Sequence, residues 1–246
     1  MIRFFAQAQN ILGDVIQLSE EDSAHVRSLR LRPSEQFIIC DGNGCDYICR
    51  LAGGRSLDKP ALSHAEIIGS QPTAGEPAVD CTVYLALAKG DRLDYAVQKS
   101  VELGARSIVL FRSERCIAVP GENAKKTSRL DKIALEAAKQ CGRGRIPRVT
   151  AAASFKEAME QASQAGLPLF FYESEANLSI KAALESTEDY SSISIVTGPE
   201  GGFEEREVML AGLLGMLTVT LGPRILRCET APVAALAAIM YHTGNL

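Results

Sequence analysis

No stretch of this 246-residue chain is apolar for long enough to span a membrane. Its opening residues, MIRFFAQAQN, lack the apolar core of a signal peptide. Both absences lead to the expectation of a cytoplasmic protein. Histidine is scarce, and His25, His64 and His242 show no ligand spacing. The seven cysteines contain no C-x-x-C pair, and an odd, scattered set argues against a disulfide framework. Cys40, Cys45 and Cys49 are close together but read as buried free thiols rather than zinc ligands, and no metal is expected. Positive charge is also short. The 26 Lys and Arg against 30 Asp and Glu leave a formal net charge of −4. That argues against indiscriminate nucleic-acid binding but leaves room for a focused basic patch.

What is present suffices for a core, since 46% of the residues are hydrophobic and 23% charged. GSQPTAGEPAVD (69–80) reads as a boundary, rich in Pro, Gly, Ser and Thr. Before it lie short strand patterns, FIICDG (37–42), CDYICRL (45–51) and ALSHAEIIG (61–69), the first two joined by the hairpin signal Asp41-Gly42-Asn43-Gly44. One helix, capped by Ser19 and running through HVRSL, interrupts them. The reading is a small β-rich barrel or sandwich over 1–70, a linker over 71–79 and a second domain over 80–246.

In that second domain apolar strands alternate with helices. CTVYLALA, SIVLF, LPLFFYE, SISIVTG and LTVTLG are strands, and the last helix begins at Ala231 with Thr230 as its cap. Alternation of this kind implies an α/β domain with a largely parallel sheet, both faces covered.

Two turns at strand ends carry chemistry. In TGPEGGF (197–203), Gly198, Gly201 and Gly202 allow a ligand to come close to the backbone. A P-loop would need a lysine for phosphate. Here Glu200 lies inside the turn and Glu204 and Glu205 follow it, so a nucleoside without phosphates fits better. S-adenosylmethionine, adenosine joined to a sulfonium, is such a ligand. Taken alone, GPEGG reads more readily as a tight structural turn before an amphipathic helix, and it is the second turn that shifts the balance toward a ligand. The second turn, LGPRILRCETAP (221–232), crowds Arg224, Arg227 and Glu229 before a helix. Glu229 serves either as half of a loop-holding ion pair or as a chemical group. In open parallel sheets ligands bind at the carboxyl ends of strands, where both turns belong.

GPEGGF followed by LGPRILRCETAPVAAL resembles the bacterial 16S ribosomal RNA uracil-N3 methyltransferases of the SPOUT superfamily. KGD (89–91) with RLDYAVQKSVELG, SERC (113–116) and KQCGRGRIPRV (139–149) follow the same order, and HVRSLRLRPSEQFIICDGNG resembles that family's PUA-like RNA-binding barrel. The resemblance covers essentially the whole chain, with one departure: Cys228 stands where the family usually has threonine. It implies a SPOUT-type parallel sheet with a C-terminal trefoil knot, bound S-adenosylmethionine and a homodimer. The implied substrate is one uridine (1498 in the family assignment) of 16S rRNA in the assembled small ribosomal subunit.

On this reading Tyr172, Thr197, Gly198, Gly201, Gly202, Leu221, Gly222 and Leu226 form the cofactor pocket. Glu229 accepts the N3 proton, and Arg227 and Arg224 stabilise charge on the uracil or hold phosphate. Two basic stretches would position RNA: Arg27, Arg30 and Arg32, joined by Arg3, and Arg143, Arg145 and Arg148. The competing readings are a non-catalytic RNA-binding assembly factor, a ribose 2′-O-methyltransferase of the same superfamily and a metabolic nucleotide enzyme.

Overall fold

The computed structural model describes residues 2–32, 34–52, 62–116, 123–174, 177–187 and 190–246. The start of the third predicted strand, at Ala61, lies outside the described residues. The chain divides into two compact units, residues 1–76 with Ala138–Ile146, and Pro77–Ala137 with Pro147–Leu246.

The first unit holds β1 (Arg3–Phe5), β2 (Ile11–Leu12), β3 (Val15–Gln17), α1 (Glu20–Leu29), β4 (Gln36–Cys40), β5 (Cys45–Leu51) and β6 (His64–Pro72). The strands form one curled mixed sheet in the order β1-β4-β5-β6-β3-β2. Alternating side chains give it one apolar face, where Phe4, Ile16, Phe37, Ile39 and Cys49 are fully buried. Ser19 caps α1 as predicted, its Oγ accepting from the Asp22 N–H at 3.0 Å. β6 runs through Pro72 into the stretch that reads as linker, because Gln71 and Pro72 pair with Asp46 and Cys45.

The second unit begins with β7 (Asp80–Ala86), α2 (Arg92–Glu102), β8 (Ser107–Phe111) and α3 (Asn123–Cys141), whose last turn belongs to the first unit. It continues with β9 (Arg148–Ala151), α4 (Phe155–Ala162), β10 (Leu167–Phe171), α5 (Ile180–Glu185), β11 (Ser192–Thr197), α6 (Glu205–Leu213), β12 (Leu217–Val219) and α7 (Thr230–His242). Its sheet is parallel in every described pairing, in the order β12-β10-β11-β7-β8-β9. Central strands such as β11, with five of six residues buried, are apolar throughout because helices cover both faces. Leu93, Val97 and Val101 of α2 are buried, as their spacing predicts.

The start of α7 differs from expectation. Glu229, already in a helical conformation, is the N-cap and Thr230 is the first helical residue. The backbone N–H groups of Thr230 and Ala231 donate to the Arg227 carbonyl, so helical turning begins before the predicted cap.

Candidate functional site

β12, β10 and β11 are neighbours and run parallel, so the turns leaving them share one end of the sheet. There the segments Phe171–Ser174, Thr197–Gly202 and Val219–Leu226, with Cys228 and Ala231, line a cleft of about 650 Å³. That volume suits a small-molecule ligand. Tyr172, Thr197, Gly198, Gly201, Gly202, Leu221, Gly222 and Leu226 all line it, and so does Arg224.

The glycine turn is built from inside the core outward. Phe203 is buried and packs on Phe170, ring centroids 4.3 Å apart. A Cβ at Gly198 would meet the Phe203 ring at 3.0 Å, so that glycine lets the turn close over its own aromatic anchor. The other side is gripped by Ser113, Glu114 and Arg115. Glu207 is 6% exposed, and its carboxylate accepts from the Ser113 hydroxyl at 3.0 Å, the Glu114 N–H at 3.0 Å and the Glu204 N–H at 2.9 Å. Arg115 donates to Glu204 at 2.8 Å and to the Gly201 carbonyl at 3.1 Å. On the second turn, Gly222 has φ +101°, a conformation strained for any side chain. Its N–H donates to Thr220 Oγ1 at 3.1 Å.

The acidity of the first turn is largely compensated internally. Arg92 Nη1 donates to Glu200 Oε1 at 2.5 Å, and the Lys89 N–H donates to the same oxygen at 3.2 Å. Burial pushes the Glu200 carboxyl up, but its own N–H, that of Lys89 and the Arg92 guanidinium together hold it below the usual range. The predicted repulsion of polyphosphate by Glu200 and Glu204 is therefore muted. Among the described residues Arg224 is the cation that lines the cleft, and no lysine does.

Glu229 and Arg227 do not line this cleft. Glu229 faces a second recess of about 10 Å³, room for about one water, together with Arg92 and Cys228. Its Oε2 lies 3.9 Å from Arg92 Nε and accepts from Cys228 Sγ at 3.3 Å. Burial, followed by that hydrogen bond, pushes the Cys228 thiol up to about 12, so it stays a donor. Thr197, Gly198 and Cys228 line both cavities, whereas Glu229 lines only the smaller one. Arg227 is exposed.

Two of the predicted RNA-binding arginines need correction. Arg3 makes a two-pronged pair with Asp46, both bonds 2.6 Å, and its side chain is 8% exposed. Arg143 is buried and pairs with Glu76 at 2.8 Å. The other Glu76 oxygen accepts from the Gly144 and Arg145 N–H groups. Guanidiniums held in this way do not reach phosphate. Arg27, Arg30, Arg32 and Arg148 are exposed and Arg145 is partly exposed.

An RNA methyltransferase domain family matches residues 75–240. Ribosomal RNA small subunit methyltransferase E of Bacillus subtilis is 35% identical over 235 residues, 92% of this chain and 90% of that protein. Its namesake from Aquifex aeolicus is 30% identical over 235 residues, covering 93% and 95%. The crystal structure of ribosomal RNA small subunit methyltransferase E from Neisseria gonorrhoeae bound to S-adenosyl methionine is similar at 33% identity and TM-score 0.85, covering 98% of this chain and 97% of that one. A Legionella pneumophila methyltransferase in complex with the same cofactor has TM-score 0.85 at 26% identity, with the same coverage.

Proposed function

The chain belongs to this RNA methyltransferase family, and from that premise we propose that it methylates N3 of one uridine, 1498 in the family assignment, of 16S rRNA in the assembled small subunit. Its coarser activity is that of an S-adenosylmethionine-dependent 16S rRNA methyltransferase. The observation that carries the proposal is the cleft at the ends of β10, β11 and β12, where the turns Thr197–Gly202 and Val219–Leu226 meet around a volume suited to a nucleoside.

S-adenosylmethionine supplies an electrophilic methyl carried on a sulfonium. The protein's own groups do the rest. Backbone of Thr197, Gly198, Gly201, Gly202, Leu221 and Gly222 holds the nucleoside, with Leu226 and Tyr172 giving it apolar cover. Uracil N3 becomes nucleophilic only when its proton leaves, and Glu229 accepts that proton. Because Glu229 lines the recess and not the cleft, the proton travels to it by a water in the recess. The Cys228 thiol and Arg92 keep the carboxylate oriented. Arg224, at the cleft, stabilises negative charge on the uracil oxygens, and the exposed Arg227 holds phosphate.

The first unit, with Arg27, Arg30, Arg32 and Arg145, is the proposed RNA-positioning module, and Arg148 serves from the second. The trefoil knot and a homodimer belong to the same proposal. Nuclease digestion of methylated rRNA with mass spectrometry tests it. The methyl is expected on uracil N3, and a ribose 2′-O-methyl product would overturn the assignment.

A further inference from the structure

We propose that Glu173 reads the ribose of the bound nucleoside, its carboxylate accepting both hydroxyls of the 2′,3′-diol. The inference rests on the reading that the cleft holds S-adenosylmethionine. Glu173 follows β10, the strand hydrogen-bonded to β11, so it lies beside the glycine turn and lines the cleft. Its carboxylate is seated on that turn: a Cβ at Gly202 would overlap Glu173 Oε1, and Gly202 has φ +67°. This glycine accommodates the protein's own carboxylate as well as the backbone bend.

The two acids of the cleft differ in state. Glu200 is taken by Arg92 and the Lys89 N–H. Glu173 is exposed and accepts no hydrogen bond from any described residue. It therefore has two oxygens to offer a ligand. The positive neighbour it interacts with, Arg115, spends its own hydrogen bonds on Glu204 and Gly201. That charge opposes a second cation beside Glu173 but not neutral hydroxyls, which favours the diol over the ammonium group of the methionine moiety. In dinucleotide-binding parallel sheets a carboxylate near the glycine turn hydrogen-bonds the ribose 2′-hydroxyl, the same chemistry in a different fold.

Calorimetric titration tests this with three probes: S-adenosylhomocysteine; 5′-methylthioadenosine, which keeps the ribose but has no amino acid; and the 2′,3′-dideoxy form of methylthioadenosine. Glu173→Gln and Glu173→Ala are expected to weaken the first two equally, by about tenfold or more, as for hydrogen bonds to a charged group. Binding of the dideoxy form should be unchanged. Weakening of S-adenosylhomocysteine alone would place the carboxylate on the ammonium and overturn the proposal. Equal weakening of all three, or of none, would overturn it as well. Failure of the unaltered protein to bind S-adenosylhomocysteine would instead overturn the cofactor reading beneath it.

Discussion

Gly222, Gly202 and Glu207 shape the cleft by different means. At Gly222 the constraint is φ, so Gly222→Ala should cost about 1–3 kcal/mol in urea unfolding and weaken S-adenosylhomocysteine binding. At Gly202 the Glu173 carboxylate adds a steric constraint. Glu207 acts from below, collecting three donors while nearly buried. Glu207→Ala leaves those donors unpaired and should destabilise the fold by about 3 kcal/mol in urea unfolding. A loss within experimental error would show that the grip of Ser113 and Glu114 on Glu207 is incidental. That the eight residues expected to hold the cofactor line one cleft was legible because seven belong to two short, sequence-local turns and Tyr172 ends the neighbouring strand. The charges that organise those turns were not. Arg92 and Glu200 are 108 positions apart, and Glu207 and Ser113 are 94 apart. No local pattern pairs groups at that range, so Glu200 read as an exposed repulsive charge when it is half of an ion pair.

At the scale of elements, long apolar strands announced themselves and short or half-exposed ones did not. β8 and β11 follow their apolar runs, whereas β9 was absorbed into a basic stretch because Val149 is its one buried residue. β6 outran its predicted end because ladder pairing to β5 prevailed over the loop-like composition of Gly69–Pro72. The start of α7 was misplaced because Thr230 is a good cap by type, while the turn from Arg227 already supplies helical geometry. The strand-to-helix connection at β11 and α6 depends on Phe203, which also lies near Phe111 and Phe155. Phe203→Ala should cost about 3–5 kcal/mol. Because Phe203 sits directly under Gly198, the variant should lose cofactor affinity even where it remains folded. Retained affinity at native-like stability would contradict that coupling.

Over the whole molecule, burial raises the Cys49, Cys81 and Cys228 thiols to about 12. An unfolded thiol ionises near pH 8.5. The folded state therefore holds these protons longer, and the associated stability is complete below about pH 8.5 and lost as pH rises toward about 12. Melting temperature should fall across that window, and Cys49→Ala with Cys81→Ala should flatten the slope; an unchanged slope would contradict the assignment. RNA engagement is also a property of the assembly of charges. Arg27→Ala, Arg30→Ala and Arg32→Ala combined should weaken subunit binding and reduce its salt dependence, with the affinity for S-adenosylhomocysteine unchanged. Light scattering at twice the chain mass would support the proposed homodimer, and a mass of one chain would contradict it.

The central claim is that one cleft, closed by the turns after β10, β11 and β12, delivers a methyl group to 16S rRNA. It is tested most directly by transfer from radiolabelled S-adenosylmethionine to small ribosomal subunits that lack the modification. The account predicts label in the 16S rRNA, one methyl per subunit, and its loss with Glu229→Gln while S-adenosylhomocysteine still binds. Subunits that bind the protein but take up no label would contradict it and leave an RNA-binding factor without catalysis.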